Sequence, residues 1–596
     1  MTAPALARAA LALTCCAGLA APLVAQSGFT DVLPGDTLAW AAIDDLEGAL
    51  DGTLATQSYK VLMDPAFDAL RAELAQGFTG MSDHYETVLG VNLLELLGHV
   101  EGGAAVALLH LRSRSIEGLP PDLAWTLLLD LKEGAGDDVL TALDELAELA
   151  VEDSEGRLVL KFEERAGVQA SLLVELNDSE EVVTVSYAVD QDVLVIVQEF
   201  GAAQDELHLE TLLLGVAGEL DETLAEAPEF AAAGFVDQGA PARARLWADL
   251  GQLMLLGPVS EGSGDVQVPF GLDALGNFVI ESSASADGLL QDMSLHWDQG
   301  LDAAELVAAA RGDNDPVALA WMPADVDLGA AAELDIAALA DAWLSSISAQ
   351  SPELAVALIS GMNDLEAEFG FHPRDDVIEA LNGQYGLFLR EPEGGLDPND
   401  VFGLIDSVAF CAGLDDASLL GEFFDAVIRS QGLHVARKRD IFEGFEVFAL
   451  PVFPGIELFY SLGGDVLTLS TSGELVRDVL RRLGNPELAS LAKEPSVVAA
   501  RERLPQASSV LFAATAASTV ESLVDWPRGA ASAMSMVTDE IPSVPWGDGD
   551  ISLDALIVRL VELMPPRELV RQRVQGYSLV SLELTDGGIE VRSYAP

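Results

Sequence analysis

The stretch "SYAVDQDVLVIV", residues 186–197, reads as two alternating apolar strands around a short turn, and it has a near-copy in "FYSLGGDVLTLS", residues 459–470. Tyr187 answers Tyr460 and Asp192 answers Asp465, each pair 273 positions apart. Turns this short imply antiparallel pairing. A hairpin written twice raises the question of what else in the chain is written twice.

Other landmarks recur in the same order. "TLAWAAIDDL" (37–46) answers "ALAWMPADVDL" (318–328), with Trp40 on Trp321. "LLELLGHVEGGAAVAL" (93–108) answers "RDDVIEALNGQYGLFL" (374–389), with Gly102 on Gly383. Next, "WTLLLDL" (125–131) and "VAFCAGL" (408–414) each precede an acidic pair, Asp137-Asp138 and Asp415-Asp416, and then a helical run. In the first run Val139, Leu140, Leu143, Leu146, Ala147 and Ala150 share a face. In the second Leu419, Leu420, Phe423, Phe424, Val427 and Ile428 do, so both are amphipathic helices packed against something. Acidic residues at a helix start suit its exposed amides and dipole. A last pair, "ESSASADGLL" (281–290) and "VSLELTDGGI" (580–589), sets Asp287 on Asp586. Drifting offsets mean loop insertions, which surface loops tolerate.

These landmarks predict a duplicated unit of about 280 residues. The spans are a signal peptide over 1–25, a first α+β repeat over 26–305 and a second over 306–596, joined by "DQGLDAAELVAAARGDNDP" (298–316). Strand runs at Leu158–Phe162, Val168–Glu175 and Val182–Val189 have counterparts at Phe445–Leu450, Ile456–Leu462 and Val466–Ser470. Helices fall between strand runs rather than after each strand. The expected class is α+β: two tandem similar halves, each an antiparallel-rich sheet with helices packed on one face.

At 596 residues several domains are expected. Half of the residues are hydrophobic, which a disordered chain would not have. There are 98 acidic against 30 basic residues, a net charge of −68. A nucleic-acid partner is excluded, because releasing phosphate counterions needs clustered cations. An anionic membrane surface is disfavoured for the same reason. The one basic run is "HVARKRD" (434–440), read as a solvated turn. A saline medium would screen the self-repulsion.

The first 25 residues look like an export signal: Arg8 at the positive end, an apolar run from Ala9 to Leu19, and Ala25 at a cleavage point. "LTCC" raises a lipidated Cys15 or Cys16, but Thr14 or Cys15 then stands where a small residue belongs. No later segment offers 18 consecutive apolar residues, so no transmembrane span is expected after signal cleavage. Periplasmic or secreted localisation follows. Only Cys411 then remains, in the apolar run "SVAFCAG", read as an inert buried thiol.

The landmarks resemble the bacterial domain-of-unknown-function family 3352. The residues that carry the likeness are "LPGDTLAW" (Leu33 to Trp40), the Gly90 to Gly103 segment and the Tyr187 to Val195 hairpin. The resemblance implies an exported protein of undetermined role, with no activity or site residues to carry over.

Recognisable chemistry is sparse. His84, His99, His110, His208, His296, His372 and His434 show no zinc spacing. "SLAK" (Ser490, Lys493) matches S-x-x-K by letter but lacks the motifs that accompany it. Adjacent carboxylates (Asp44-Asp45, Asp137-Asp138, Asp375-Asp376, Asp415-Asp416) are uninformative in so acidic a chain. "WGDGDISLD" puts Asp548, Asp550 and Asp554 near a glycine without the EF-hand pattern, and "RGD" (311–313) is a tripeptide coincidence. No catalytic, cofactor-binding or metal residue is assigned, and no cofactor is expected. The reading is an exported, non-catalytic binding or structural module of the cell envelope, with an apolar small ligand or an envelope partner. The alternative is a hydrolase that uses dispersed carboxylates or calcium, to be recognised by carboxylates converging in one pocket with raised pKa values.

Overall fold

Alternating apolar residues and tight turns dominate the chain, and they fold into long antiparallel ladders. This computed structural model describes most of residues 29–595; the larger stretches left out are 57–62, 90–97, 113–121, 200–206, 234–242, 256–274, 392–400, 518–542 and 564–568. The export leader with Cys15 and Cys16, Asp45, Asp287, Asp313, Asp548 and Asp586 lie outside the described residues, as do the side chains of His84, His110 and Asp554. The chain divides into two compact units. The first comprises Met1–Val268, Leu275–His296 and Glu521–Val570, the second Pro269–Ala274, Trp297–Val520 and Arg571–Pro596.

In the first unit the elements run β1 (Ala39–Ile43), α1 (Asp68–Leu89), β2 (Val100–Arg112), β3 (Asp122–Leu131), α2 (Gly136–Asp153), β4 (Leu158–Arg165), β5 (Val168–Asn177), β6 (Glu180–Asp190) and β7 (Val193–Gln198). Then come α3 (His208–Val216), α4 (Pro228–Ala232), β8 (Arg243–Asp249), α5 (Leu250–Leu255), β9 (Leu275–Ser285) and β10 (Gly288–Trp297). The strands pair in the order β4-β5-β6-β7-β3-β2-β1-β8-β9-β10. Trp40 of β1 and Trp247 of β8 face each other in register, and the Phe230 ring meets both edge-on at 5.5 Å. They form the aromatic centre of a core that includes Leu128, Leu172, Val195, Leu209 and Leu212.

The second unit runs α6 (Asp302–Ala310), β11 (Leu328–Glu333), α7 (Ile336–Gln350), α8 (Pro352–Phe369), β12 (Leu381–Leu389), α9 (Val401–Asp406), β13 (Val408–Leu414), α10 (Ala417–Ser430), β14 (Lys438–Phe442), β15 (Phe445–Phe453), β16 (Ile456–Ser461), β17 (Val466–Ser470), α11 (Gly473–Gly484), α12 (Pro495–Arg501) and β18 (Val510–Thr515). A hairpin, β19 (Ser543–Trp546) and β20 (Gly549–Ser552), and α13 (Leu553–Glu562) then return to the first unit. Two strands, β21 (Tyr577–Thr585) and β22 (Gly588–Ala595), complete the second. Its pairing order is β14-β15-β16-β17-β13-β12-β11-β18-β21-β22, all antiparallel. Position for position this is the strand order of the first unit.

The agreement extends to turns and bulges. The β6–β7 turn puts Gln191 and Asp192 at φ 49° and 62°, and the β16–β17 turn puts Gly464 and Asp465 at 67° and 57°. Only short polar side chains and glycine enter that region readily. Bulges occur at the same place, between Val100 and Ala104 in β2 and between Leu381 and Tyr385 in β12. In one, Asp130 of the neighbouring strand accepts from the Gly103 amide at 2.7 Å. In the other, Asn382 of the bulged strand accepts from the Gln384 amide at 3.1 Å.

Three expectations are corrected. The counterparts of the runs at Leu158–Phe162, Val168–Glu175 and Val182–Val189 are β14, β15 and β16, each one strand earlier than the runs at Phe445–Leu450, Ile456–Leu462 and Val466–Ser470, because β14 carries the charged residues Lys438, Arg439 and Asp440 and shows no apolar alternation. Trp321 does not open a strand: it follows a single 3-10 turn, Ala318–Ala320, and the strand comes later as β11. The true partner of "LPGDT" (33–37) is "MPADV" (322–326), since Leu38 and Asp327 lead into paired strands and Pro34 and Pro323 each form an isolated bridge. The Trp40–Trp321 match is a coincidence of letters. Further, Asp137 and Asp138 do not cap α2; Ala135 holds the cap position, and the carboxylates lie in the first turn. Asp416 does cap α10, accepting from the Leu419 amide at 2.9 Å.

Candidate functional site

The basic run that the sequence marks as a solvated turn lines a groove. It lies in the second unit, between one edge of α10 and the β14–β15–β16 ladder, and encloses about 590 Å³. The helix supplies Ser418, Gly421, Glu422 and Asp425, an i, i+3, i+4, i+7 stripe beside its apolar face. That apolar face, with Leu420, Phe423 and Phe424, is anchored on Leu414 and Leu467 of the sheet. The ladder supplies Arg437, Arg439, Phe445, Glu446, Phe448 and Tyr460. The Glu443-Gly444 turn at φ 52° and 94° reverses the chain in two residues, and Gly463 leaves room for the Phe445 ring, which a Cβ there would strike at 2.4 Å.

Arg437 is the organised cation of the groove. Its Nη1 donates to Asp425 and, at 3.1 Å, to the Tyr460 hydroxyl. Its guanidinium lies over the Phe448 ring, 4.8 Å from the centroid, and Phe448 stacks on Tyr460 at 5.0 Å. Burial pulls the Arg437 pKa down, but its hydrogen bonds to Asp425 and Tyr460 outweigh it, so the cation is reinforced. Burial raises the Tyr460 pKa, opposed by Arg437. Arg439 is held differently: it pairs with Glu446 across the hairpin, with both side chains about half exposed (59% and 48%). Such surface pairs contribute roughly 0–1 kcal/mol, so Arg439 can exchange Glu446 for another anion.

The first unit shows the same position closed. Asp144 is the ninth residue of α2, as Asp425 is of α10. Tyr187 faces Ser171 in register, as Tyr460 faces Phe448. Both hydroxyls, Tyr187 at 2.8 Å and Ser171 at 2.7 Å, donate to Asp144 directly. Burial first, and then the Asp144 carboxylate, pushes the Tyr187 phenol far up. Leu160 and Phe162 stand where the second unit has Arg437 and Arg439, by the pairing of β4 with β5 and of β14 with β15.

The other sequence candidates fall elsewhere. Cys411 is fully buried in β13, and burial pushes its thiol up to about 12. Ser490 is buried and bridges Pro323, while the Lys493 ammonium donates to the Pro486 carbonyl, so the two make no serine–lysine pair. Asp44 pairs with Arg245. The His372 amide donates to Asp376 at 2.6 Å, and the Asp375 amide donates back to His372 Nδ1 at 3.2 Å. His208 binds Glu199 at 2.8 Å, and His296 contacts Ser294 at 3.1 Å. A second pocket of the second unit, about 300 Å³, gathers Glu333, Asp335, Glu379, Asp415 and Tyr385. Burial, then Asp335 and Glu333, pushes the Tyr385 phenol up to about 12. Asp335 there caps α7 through the Ala338 amide at 2.8 Å. Among the described residues the carboxyl clearly raised by burial is Asp130, which lines neither pocket and serves the β2 bulge. Among the described residues no group of three or more His, Cys, Asp or Glu is arranged to hold a metal ion, and no described helix is long and apolar enough to cross a membrane.

No known family model matches the chain, and no curated protein does. Among solved structures, crystal forms IV, III and I of TP0453 match at 9%, 10% and 10% identity with TM-scores of 0.22, 0.23 and 0.22. They cover 45%, 46% and 46% of this chain and 79%, 80% and 81% of their own. Superposition at that level carries no argument about fold or function.

Proposed function

We propose that the protein is an exported, non-catalytic binding module of the cell envelope, and that the groove of the second unit takes its ligand. The observation that carries this is the contrast at one fold position. Where the first unit closes an aspartate directly with Tyr187 and Ser171, the second opens the site and lines it with two arginines, the carboxylates of Glu422, Asp425 and Glu446, and aromatic rings. Arg437 is held there by Asp425 and Arg439 by Glu446, and the more exposed Arg439 is the cation that can exchange its partner for another anion. The ligand class is a small molecule with an anionic head group for Arg439 and an apolar or aromatic body against Phe445 and Phe448. Export rests on the leader pattern of residues 1–25. The matching strand orders support one ancestral unit used twice, the second copy having acquired the site.

Calorimetric titration with an aryl phosphate and an aryl carboxylate tests the reading. One site per chain is expected, weakened about tenfold or more by Arg439→Glu, which replaces attraction with repulsion. Binding that is absent, or that is indifferent to Arg439→Glu, would refute it.

A further inference from the structure

The core of the first unit holds a donor and an acceptor that have no hydrogen-bond partner among the described residues. They are Nε1 of Trp247 in β8, a residue 2% exposed, and Oδ1 of Asn277 in β9, a residue 8% exposed. Trp247 pairs with Val279 and Asp249 with Asn277, so the two side chains stand on one face of the sheet as diagonal neighbours. An indole reaches across that spacing. The orientation of the amide is settled by its other end: Asn277 Nδ2 donates to the Glu229 carbonyl at 2.6 Å, and a flip would set oxygen against oxygen. Asp249, opposite Asn277, is already engaged, accepting from the Gln252 amide at 2.9 Å. Buried polar groups are ordinarily satisfied, by protein or by ordered water.

The second unit shows what belongs beside them. The Asp249 amide donates to the Leu38 carbonyl as the Thr515 amide donates to that of Asp327. That match sets Trp247 on Ala513 and, through the next ladder, Asn277 on Tyr577. A large ring on β8 with a short amide on β9 thus answers a small residue on β18 with a large ring on β21. The Tyr577 hydroxyl donates to the carbonyls of Val326 and Ala324 at 2.5 and 3.0 Å. Those residues answer Thr37 and Gly35 in the matched segments "MPADV" and "LPGDT". The second unit therefore fills this buried position with its own hydroxyl. The first unit has exchanged that phenol for an amide too short to take its place, with an unused donor on the neighbouring strand.

We propose that the first unit binds one water molecule at this position. The water accepts from Trp247 Nε1 and donates to Asn277 Oδ1 and to the Thr37 carbonyl, the counterpart of the one that Tyr577 uses. Three partners of this mix are what a buried water ordinarily has.

Nuclear Overhauser transfer from water to the indole N–H groups of the full chain, with nitrogen-labelled tryptophan, tests this. Trp247→Phe assigns the Trp247 signal by its disappearance. In the parent that N–H should exchange slowly with solvent and still show a cross-peak of the sign given by a long-lived bound water. Asn277→Leu, which removes the acceptor at similar volume, should abolish the cross-peak while the remaining indole signals keep their positions. The double variant Trp247→Ala with Asn277→Tyr rebuilds the arrangement of the second unit. Its crystal structure should place the introduced phenol hydroxyl on the Thr37 carbonyl, where the parent crystal shows the water. No water cross-peak at Trp247 in the parent would overturn the proposal, as would a cross-peak that Asn277→Leu leaves intact. Rapid exchange of that N–H with bulk solvent, or an introduced hydroxyl turned away from Thr37, would also overturn it.

Discussion

Replacing Arg437 by Leu, with and without Phe448→Ser, asks whether the groove is an opened version of the first unit's closed cluster, since Leu160 and Ser171 hold those positions there. Arg437→Leu removes the hydrogen bonds to Asp425 and Tyr460 and the cation over Phe448. A hydrogen bond to a charged group contributes about 1.5–3 kcal/mol when buried. The Asp425 side chain is 36% exposed, and screening brings that to about 1 kcal/mol. The cation–ring contact adds about 0.5–1 kcal/mol. Leucine packing returns up to about 1 kcal/mol. The net loss is roughly 1 kcal/mol, about fivefold faster opening of β15–β16. Phe448→Ser alone costs more, because it removes a half-buried ring. In the double variant the introduced serine hydroxyl and the Tyr460 hydroxyl can both donate to Asp425, as Ser171 and Tyr187 do to Asp144, so the two losses should couple favourably by about 0.5 kcal/mol or more. With two units a single unfolding transition is not assured, so the assay is native-state hydrogen exchange over 445–461. Strict additivity, or no change for Arg437→Leu, would refute the reasoning.

Three further outcomes follow from the geometry. The hydrogen bond to Glu199 raises the His208 pKa, so the folded protein holds that proton more tightly than the unfolded chain. The resulting stability is fully present below the unfolded value of about 6.5 and is lost as pH rises through the folded value; unfolding of the first unit between pH 6 and 8 should show this slope, and His208→Gln should flatten it. Cys411 should resist alkylation in the folded chain and react on denaturation, as site-resolved mass spectrometry would report; rapid labelling of the native protein would contradict its burial. Gly77→Ala should drive Trp546 off α1, because a Cβ there would strike the indole; a red shift in tryptophan emission is expected, with about 1–3 kcal/mol lost, whereas an unchanged spectrum would dispute the packing.

The duplicated hairpin was legible because its register is written locally. Alternating apolar residues set the faces, and Asp192 and Asp465 sit in turns that short polar residues tolerate. The antiparallel α+β class followed from the same pattern. The partner of β1 was misread because a tryptophan weighs heavily in a letter match, while the pairing is set by "LPGDT" and "MPADV" and by backbone bridges. Ala166 and Gln191 in left-handed turns gave no sign, since the ladders on either side impose those angles. The groove was hidden for a different reason. "HVARKRD" looks solvated when read alone, and only the pairing of β14 with β15 sets Arg439 opposite Phe448 and within reach of Glu446, with Arg437 over the same Phe448 ring. That juxtaposition is tertiary, and no spacing along the chain encodes it.

The most direct test of a ligand in the groove is native mass spectrometry of the protein purified from its own envelope fraction, parent and Arg439→Glu side by side. One discrete added mass is expected on the parent, lost to organic solvent and absent from the variant. A bare parent chain, or an added mass equally present on Arg439→Glu, would contradict it.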